Sequence, residues 1–531
     1  MRSAFFGLNV AARGLYSAQR NLDIINHNIN NVNTPGYSRQ LGVQTASRPM
    51  PLLNGTGMLG TGSEVVAINR VRDEFLDFKY WSENVSFGEW NIKAELLADM
   101  EVTFNEPSDS GFATILSDFF NALQELAKDP SSEAVRALVR QRGVTMAKYF
   151  NSLASHFEKL QADINYNIKT KVEEINSLAV QIQQLNRQIY ISELDGNTAN
   201  DLRDQRTLLV DKLSRIINIE ANEIVVGKLP DGRDEKHFVI TISGKALVNH
   251  FNVSKLEVYQ RDESQRLNEE DIPNLYNIRW EDGNSIDIRS GELRGYLDIR
   301  DGNDGILGVD GKTKSPKYKG IPYYLRMLNE FVRTFAMAFN EGLDGTPGHA
   351  DGYRLDSVTG DPPSDVRFFT IIGSDGNPIS SSDFMSLGAD INEIYKNITA
   401  KNFAVSLDIM EDLNAISCSG EAGEVGNIDN LNSLLKMRHN PHMFNEGAPE
   451  DFMKSLVATL GIDSQQAVRY RDNQEVIVKQ IENRRLSVSG VLIDEEMANL
   501  VRYQHTYNAC AKMITVLAEV YDTLINRMGI G

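Results

Sequence analysis

Apolar residues recur at alternating three- and four-residue intervals at both ends of this 531-residue chain. Near the N-terminus the series is Leu8, Ala11, Leu15, Ala18, Leu22, Ile25, Ile29 and Val32. Near the C-terminus it is Met497, Leu500, Gln504, Tyr507, Ala511, Ile514, Ala518, Tyr521, Ile525 and Met528. Such a period lays one seam along each helix, and a seam of that kind is stable only against another helix. Two seams at the extremes are expected to pair with each other or with those of further copies, as in a chain built to polymerise. Ordering a helix costs about 1–2 kcal/mol per residue in backbone entropy. Seams that a monomer cannot bury are therefore expected to stay mobile until neighbours supply the other wall.

Between the ends the periodicity divides the chain. The first helix is expected over residues 3–32, about 45 Å at 1.5 Å per residue. An asparagine-rich run and the turn signal Pro35-Gly36 stop it. Residues 38–70 read as extended or irregular, followed by a helix from Asp73 to Phe104, a break at 107–111, and a short helix ending before Asp129-Pro130. The most regular inner segment runs from Ser132 to Leu194. There Ile164, Ile168, Ile175, Leu178, Ile182, Leu185 and Ile189 hold coiled-coil spacing, with Lys171 as the polar intruder. Asp195-Gly196-Asn197 turns the chain into a return helix over Asp201–Ile217, making a helical hairpin.

From Glu220 the period becomes two, and strands are expected at Phe238–Ser243, Leu256–Tyr259, Asn277–Trp280 and Ser285–Ile288. Helix returns over Ile321–Asn340. Residues 341–400 are loop-rich with one strand, Arg367–Ile372. Further helices are expected at Asn427–Arg438 and Glu450–Arg484, and Ser487–Gly490 breaks the chain before a last helix capped by Asp494. The fold class is α+β multidomain. Its expected parts are 1–40, an N-terminal coiled-coil helix and turn; 41–218, an extended segment and the first part of a helical rod domain; and 219–300, an inserted β domain. They continue with 301–345, a return helix of the rod; 346–415, an irregular second insertion; 416–486, the last part of the rod; and 487–531, a C-terminal coiled-coil helix.

Chemistry-bearing patterns are few. A net charge of −19 argues against a nucleic acid as partner. No run approaches the roughly 18 apolar residues of a membrane span. Asn9 and Arg13 interrupt the apolar start and no small-residue cleavage site follows, so any export is expected to leave the N-terminus in place. Cys418 and Cys510 stand in unrelated contexts and suggest no disulfide; Cys510, between Tyr507 and Ala511, reads as a small buried hydrophobe. His439 and His442 flank Pro441 and read as loop surface rather than metal ligands. Asp301-Gly302-Asn303-Asp304-Gly305 begins like a calcium loop but continues with Ile306 and Lys312 where that loop needs glycine and glutamate, so turn chemistry accounts for it. Nucleophile elbows, phosphate loops and dinucleotide fingerprints are missing. The expectation is a protein without catalytic residues, metal or cofactor.

The segment Asn28-Ile29-Asn30-Asn31-Val32-Asn33-Thr34-Pro35-Gly36-Tyr37 resembles the signature of the bacterial flagellar rod, hook and hook-associated proteins. The continuation Ser38-Arg39-Gln40 is similar to the form in members at the hook–filament junction. So is the tail, with Ser487 to Val491, Asp494 to Leu500, Tyr503, Gln504 and Tyr507. Asn200 to Arg206 resembles that branch's helical-domain motif, and Ser290 to Leu293 with Arg300-Asp301 falls where such proteins leave the β domain. Gly426 to Asn430 departs from the family's Gly-Asp-Asn segment, and 341–400 match least. The resemblance implies a self-assembling structural adaptor: a ring of copies whose terminal helices form an inner tube, with the β domains outward. It implies the hook protein, the next junction protein (hook-associated protein 3) and further copies as partners, with no nucleic acid and no membrane. It also implies type III export to the extracellular flagellum without cleavage, and an export chaperone on the C-terminal helix. A hook or distal rod protein is the alternative within the family. A secreted coiled-coil adhesin or translocator is the alternative outside it, and would need an insertion segment or repeat array that the sequence lacks.

Overall fold

The computed structural model describes residues 5–51, 57–104, 111–229 and 232–527. Met528 of the C-terminal seam and most of the expected break at 107–111 lie outside them. The first helix, α1, spans Phe6–Asn30. Two antiparallel strand pairs follow: β1 (Gln40–Ala46) with β4 (Ser63–Arg70), and β2 (Met50–Pro51) with β3 (Met58–Leu59). This hairpin, read from sequence as extended or irregular, lies along α1. Its small and polar residues concealed it. Gly42 sits so close to α1 that an added Cβ would meet the Asn21 side chain at 2.6 Å.

Helices α2 (Glu74–Phe104), α3 (Phe112–Lys128), α4 (Glu133–Glu193) and α5 (Asn200–Ile216) build the body. Along α4 the seam keeps Ile164, Ile168, Ile175, Leu178, Ile182 and Ile189 buried. Val172, not Lys171, occupies the interior seat between them; Lys171 turns out to Glu174 and Glu292.

The β insertion contains a four-stranded antiparallel sheet in the order β5 (Glu220–Lys228), β6 (Asp234–Ile242), β7 (Lys245–Asn249), β8 (Asn252–Val253). A separate hairpin pairs β9 (Leu256–Gln260) with β10 (Tyr276–Trp280). Ser285–Ile288, expected as a strand, forms only an isolated bridge from Ser285 to Arg279. Asparagines of α4 dock this layer: Asn176 Nδ2 donates to the Leu256 carbonyl at 2.8 Å and its Oδ1 accepts the Leu256 N–H at 2.9 Å. Asn186 donates to the His250 carbonyl.

Helices α6 (Glu292–Asp301) and α7 (Ile321–Glu341) return the chain to the body. Asp301, at the head of the calcium-like segment, is committed to Arg261 and Arg300. Next come β11 (Phe369–Ile371), α8 (Ser381–Met385), α9 (Ile391–Lys396), β12 (Phe403–Val405), α10 (Leu407–Glu411) and α11 (Asp429–Lys436). The region holding β11 and β12 is fused to the body through aromatics. Phe331 of α7 lies 5.2 Å from Phe150 and 5.1 Å from Phe444, and Phe335 lies 5.7 Å from Phe369. Arg136 of α4 is buried and donates to the Leu413 and Ile416 carbonyls, stitching the same region down.

The 41-residue α12 (Pro449–Ser489) packs along α2, and α13 (Ile493–Asp522) turns back beside α1. Asp494, expected as its N-cap, lies inside the first turn with Glu495 and Glu496, and Leu492 occupies the cap position without a side-chain bond.

His349 carries a pH dependence. It is fully buried; its Nδ1–H donates to the Val366 carbonyl at 2.7 Å and its Nε2 accepts the Ser417 N–H at 3.0 Å. Burial, chiefly, pushes its pKa from 6.5 to about 4. Between those values the unfolded chain holds more protons than the folded one. The contribution is therefore full above pH 6.5 and is lost as pH falls toward 4. From pH 7.5 to pH 5 the loss should be about 2 kcal/mol, measured as the part of the pH slope of urea unfolding that is absent in His349→Gln; His250, depressed in the same sense, keeps its own part.

Candidate functional site at the joint of the terminal helices

The helices α1 and α13 run antiparallel. Phe5 stacks near Tyr521 at a ring separation of 5.2 Å, Gly7 faces Leu517, Gly14 faces Cys510, and Asn28 reaches Glu496. An added Cβ on Gly14 would sit 3.0 Å from the Cys510 sulfur, so the glycines let the helices approach closely. Of the N-terminal seam, Ala18 and Ile25 are buried, while Leu8, Ala11, Leu15, Leu22 and Ile29 are half-buried; Val32, also half-buried, lies past the helix end. On α13 the half-buried face is Leu500, Tyr503, Tyr507, Cys510, Ala511, Ile514, Leu517 and Tyr521. Gln504 and Ala518 are exposed, because Tyr503 and Leu517 take the seats read for them. Met497 and Ile525 point outward at 49% and 64% exposure. Glu496 is the single buried residue of α13, so the pair covers only one face of that helix.

The turn after α1 gathers the family motif. Asn31 Nδ2 donates to the His27 carbonyl at 3.0 Å, closing the helix end, and Thr34 Oγ1 donates to Asn31 Oδ1. Asn33, Thr34, Pro35 and Gly36 are exposed. Gly36 has φ +79°, and an added Cβ there would meet Leu208 at 3.3 Å, two reasons for glycine. Tyr37 folds back so that its hydroxyl donates to Asn28 Oδ1 at 2.8 Å. Burial, with Asp201, Asp204 and Glu496 adding repulsion, pushes that phenol well above its usual range.

Asn28 is the keystone on the helical side. Its Nδ2 donates to the Gln40 carbonyl at 2.9 Å and to Glu496 at 3.3 Å, and its Oδ1 accepts the Gln40 N–H at 2.9 Å. The next residues bind three elements in succession. The Ser38 N–H donates to Asp204 of α5 at 2.7 Å, the Arg39 N–H to the Ser489 carbonyl of α12 at 2.7 Å, and the Gln40 N–H to Asn28. Arg39 also pairs with Glu495.

A charge chain continues into the body. Asp204 accepts Arg70 at 2.8 Å; Arg72 grips Asp77 with two bonds of 2.7 and 2.9 Å; Arg485 of α12 bridges Asp77 and Asp211; and the Trp81 N–H donates to Asp211. Burial opposes the Arg72 charge, but Asp77 outweighs it and holds the pKa above the usual arginine value. Sequence reading found the turn but not this network, whose members are scattered over α2, α5 and α12. Its only marks were the adjacency of Ser38-Arg39-Gln40 to the turn and the Asn200 to Arg206 segment, which holds Asp204.

The arrangement binds and orients helices. Among the described residues no group of three or more His, Cys, Asp or Glu is placed to hold a metal ion, and no helix is long and apolar enough to cross a membrane. Asn28→Ala removes four bonds at a buried position. It should weaken docking of the helix pair by about 2–4 kcal/mol, read as faster tryptic cleavage at Arg39 with unchanged melting of the body.

Comparison with known proteins agrees with this geometry. Residues 97–362 match the family described as the flagellar hook-associated protein FlgK helical domain. Residues 482–528 match the flagellar basal body rod FlgEFG protein C-terminal family, and residues 8–37 the flagella basal body rod protein family. Flagellar hook-associated protein 1 of Bacillus subtilis (strain 168) is 30% identical, with 100% of both chains covered. Its namesake in Escherichia coli (strain K12) is 23% identical over 98% of this chain and 99% of that one. The flagellar hook junction protein FlgK from Burkholderia pseudomallei shares the fold, with a TM-score of 0.55 at 13% identity, covering 77% of this chain and 100% of that one. This chain belongs to the flagellar hook-associated protein 1 family.

Proposed function

We propose that this chain is a structural adaptor of the bacterial flagellum that polymerises at the distal end of the hook and forms the hook–filament junction. The observation that carries this reading is the incomplete burial of α13. After pairing with α1, it still exposes Ile493, Met497, Val501, Met513, Val516 and Val520. Apolar surface of this extent on one helix calls for further helical neighbours. Copies of the same chain supply them in a ring, with the two terminal seams as the assembly surface. The hook protein stands on one side and the next junction protein, hook-associated protein 3, on the other.

The same exposed face suits the C-terminal helix to an export chaperone, which would cover it by helix-in-groove binding and block premature association. Export through the flagellar type III apparatus leaves the N-terminus uncleaved, since α1 is an assembly element, and delivers the chain outside the cell. The role is structural, with no catalytic step and no cofactor.

Purified chain added to hooks lacking their junction proteins should cap them, as seen by electron microscopy. Truncation of residues 1–40 or 490–531 should leave a soluble core that does not cap. Ile514→Glu or Leu22→Glu should abolish capping while the body melts within about 2 °C of the parent. Capping by either truncation, or equal loss of capping and body stability in the point variants, would overturn the reading.

A further inference from the structure

We propose that Asp204 fixes the angle at which the terminal helix pair leaves the body, so that the free chain already carries α1 and α13 on a rigid elbow. The chain passes between the terminal unit (α1, β1–β4, α13) and the body twice, at 71–73 and at 490–492. Two crossings alone make a hinge, because each can swivel about its own backbone. The strap Ser38-Arg39-Gln40 removes that freedom. Three consecutive amide hydrogens are held by three elements: α5 through Asp204, α12 through the Ser489 carbonyl, and α1 through Asn28. The first crossing is tied to the same strap, since the Val71 N–H donates to the Arg39 carbonyl at 2.7 Å.

Asp204 is where the body grips both parts through charge; Asn200, one turn earlier on α5, adds bonds to the Ile68 carbonyl at 2.8 Å and to Gln40 Oε1 at 3.4 Å. Asp204 is buried, and its carboxylate accepts the Ser38 N–H at 2.7 Å, the Ser38 hydroxyl at 2.9 Å and Arg70 at 2.8 Å, with Arg72 at 3.7 Å. An ionised carboxylate only accepts, which suits a site where every neighbour donates. An asparagine of the same shape would aim N–H groups at donors and leave Arg70 without its countercharge. Asp201, one turn earlier, is exposed and accepts Gln40 Nε2, a bond that steadies the strap from outside without holding its backbone. Fraying of the distal halves of α1 and α13 does not reach this elbow. Its value to a junction subunit rests on the adaptor reading above: each copy presents its helices at a preset angle rather than searching for one during assembly.

The test uses the free full-length chain without hooks, so it stands apart from the capping assay. Hydrogen–deuterium exchange should show the amides of Ser38, Arg39 and Gln40 exchanging at least about 100-fold slower than unstructured amides. Asp204→Asn should speed them by about 10-fold or more and broaden the size distribution in small-angle X-ray scattering, with α2 and α12 exchanging as before. Arg70→Gln, which loosens the same grip from the terminal side, should act in the same direction and covers the case in which Asp204→Asn disturbs the body. Unprotected strap amides in the parent chain overturn the proposal. So does full protection in Arg70→Gln together with an Asp204→Asn chain that keeps its protection or loses it only with the whole body.

Discussion

One helix sets the scale of this molecule. The 61 residues of α4 span about 90 Å, and α3, α5, α6, α7, the β insertion and β12 are all laid against it. A helix with an apolar stripe is not stable alone in water, and this one must have its stripe covered along its whole length. The covering elements come from chain segments hundreds of residues apart, and this forces the hairpin-shaped course of the whole sequence. Terminal helices end up together because the beam between them has been wrapped from both sides.

Polar groups do as much of the positioning as apolar ones. Asn176 and Asn186 turn one flank of α4 into a docking rail for strands, and Arg136 uses backbone carbonyls as its partners. At the joint, alternating carboxylates and guanidinium groups run from Asp204 through Arg72, Asp77 and Arg485 to Asp211. Each such group would be costly to bury alone and is acceptable because its neighbours satisfy it. The aromatic interior around Phe331 supplies non-directional burial, whereas the joint supplies direction.

Long periodic segments were legible from the residues alone: α2, α4, α5, α7 and α12 lie close to where their apolar spacing places them. The hairpin β1–β4 was legible only as extended chain, because the inward side of β1 is carried by Gln40 and Gly42, residues that give no apolar alternation. Strands β5 and β7 were not assigned individually, β5 because Glu220 and Glu223 break its apolar alternation and β7 because it is only five residues long. On α13 the period was right, yet alternate seats were assigned one residue too late. An isolated sequence cannot show that its partner helix presents glycines, and it is Gly7 and Gly14 that draw in Leu517 and Cys510. Of the site, the turn was readable because proline and glycine punctuate it. The charge network was unreadable because its members share no local spacing.

The antiparallel register of α1 and α13 sets the start of α1 beside the end of α13 at one tip and leaves the joint at the other. Everything between residues 70 and 490 is thus a closed excursion that begins and ends at the same place. A loop anchored in this way can lengthen, shorten or acquire a new surface domain while the distance from tip to joint stays constant. Closing a longer loop costs little, about 0.6 kcal/mol per doubling. The body is therefore free to change in size, while the helix pair keeps one fixed length.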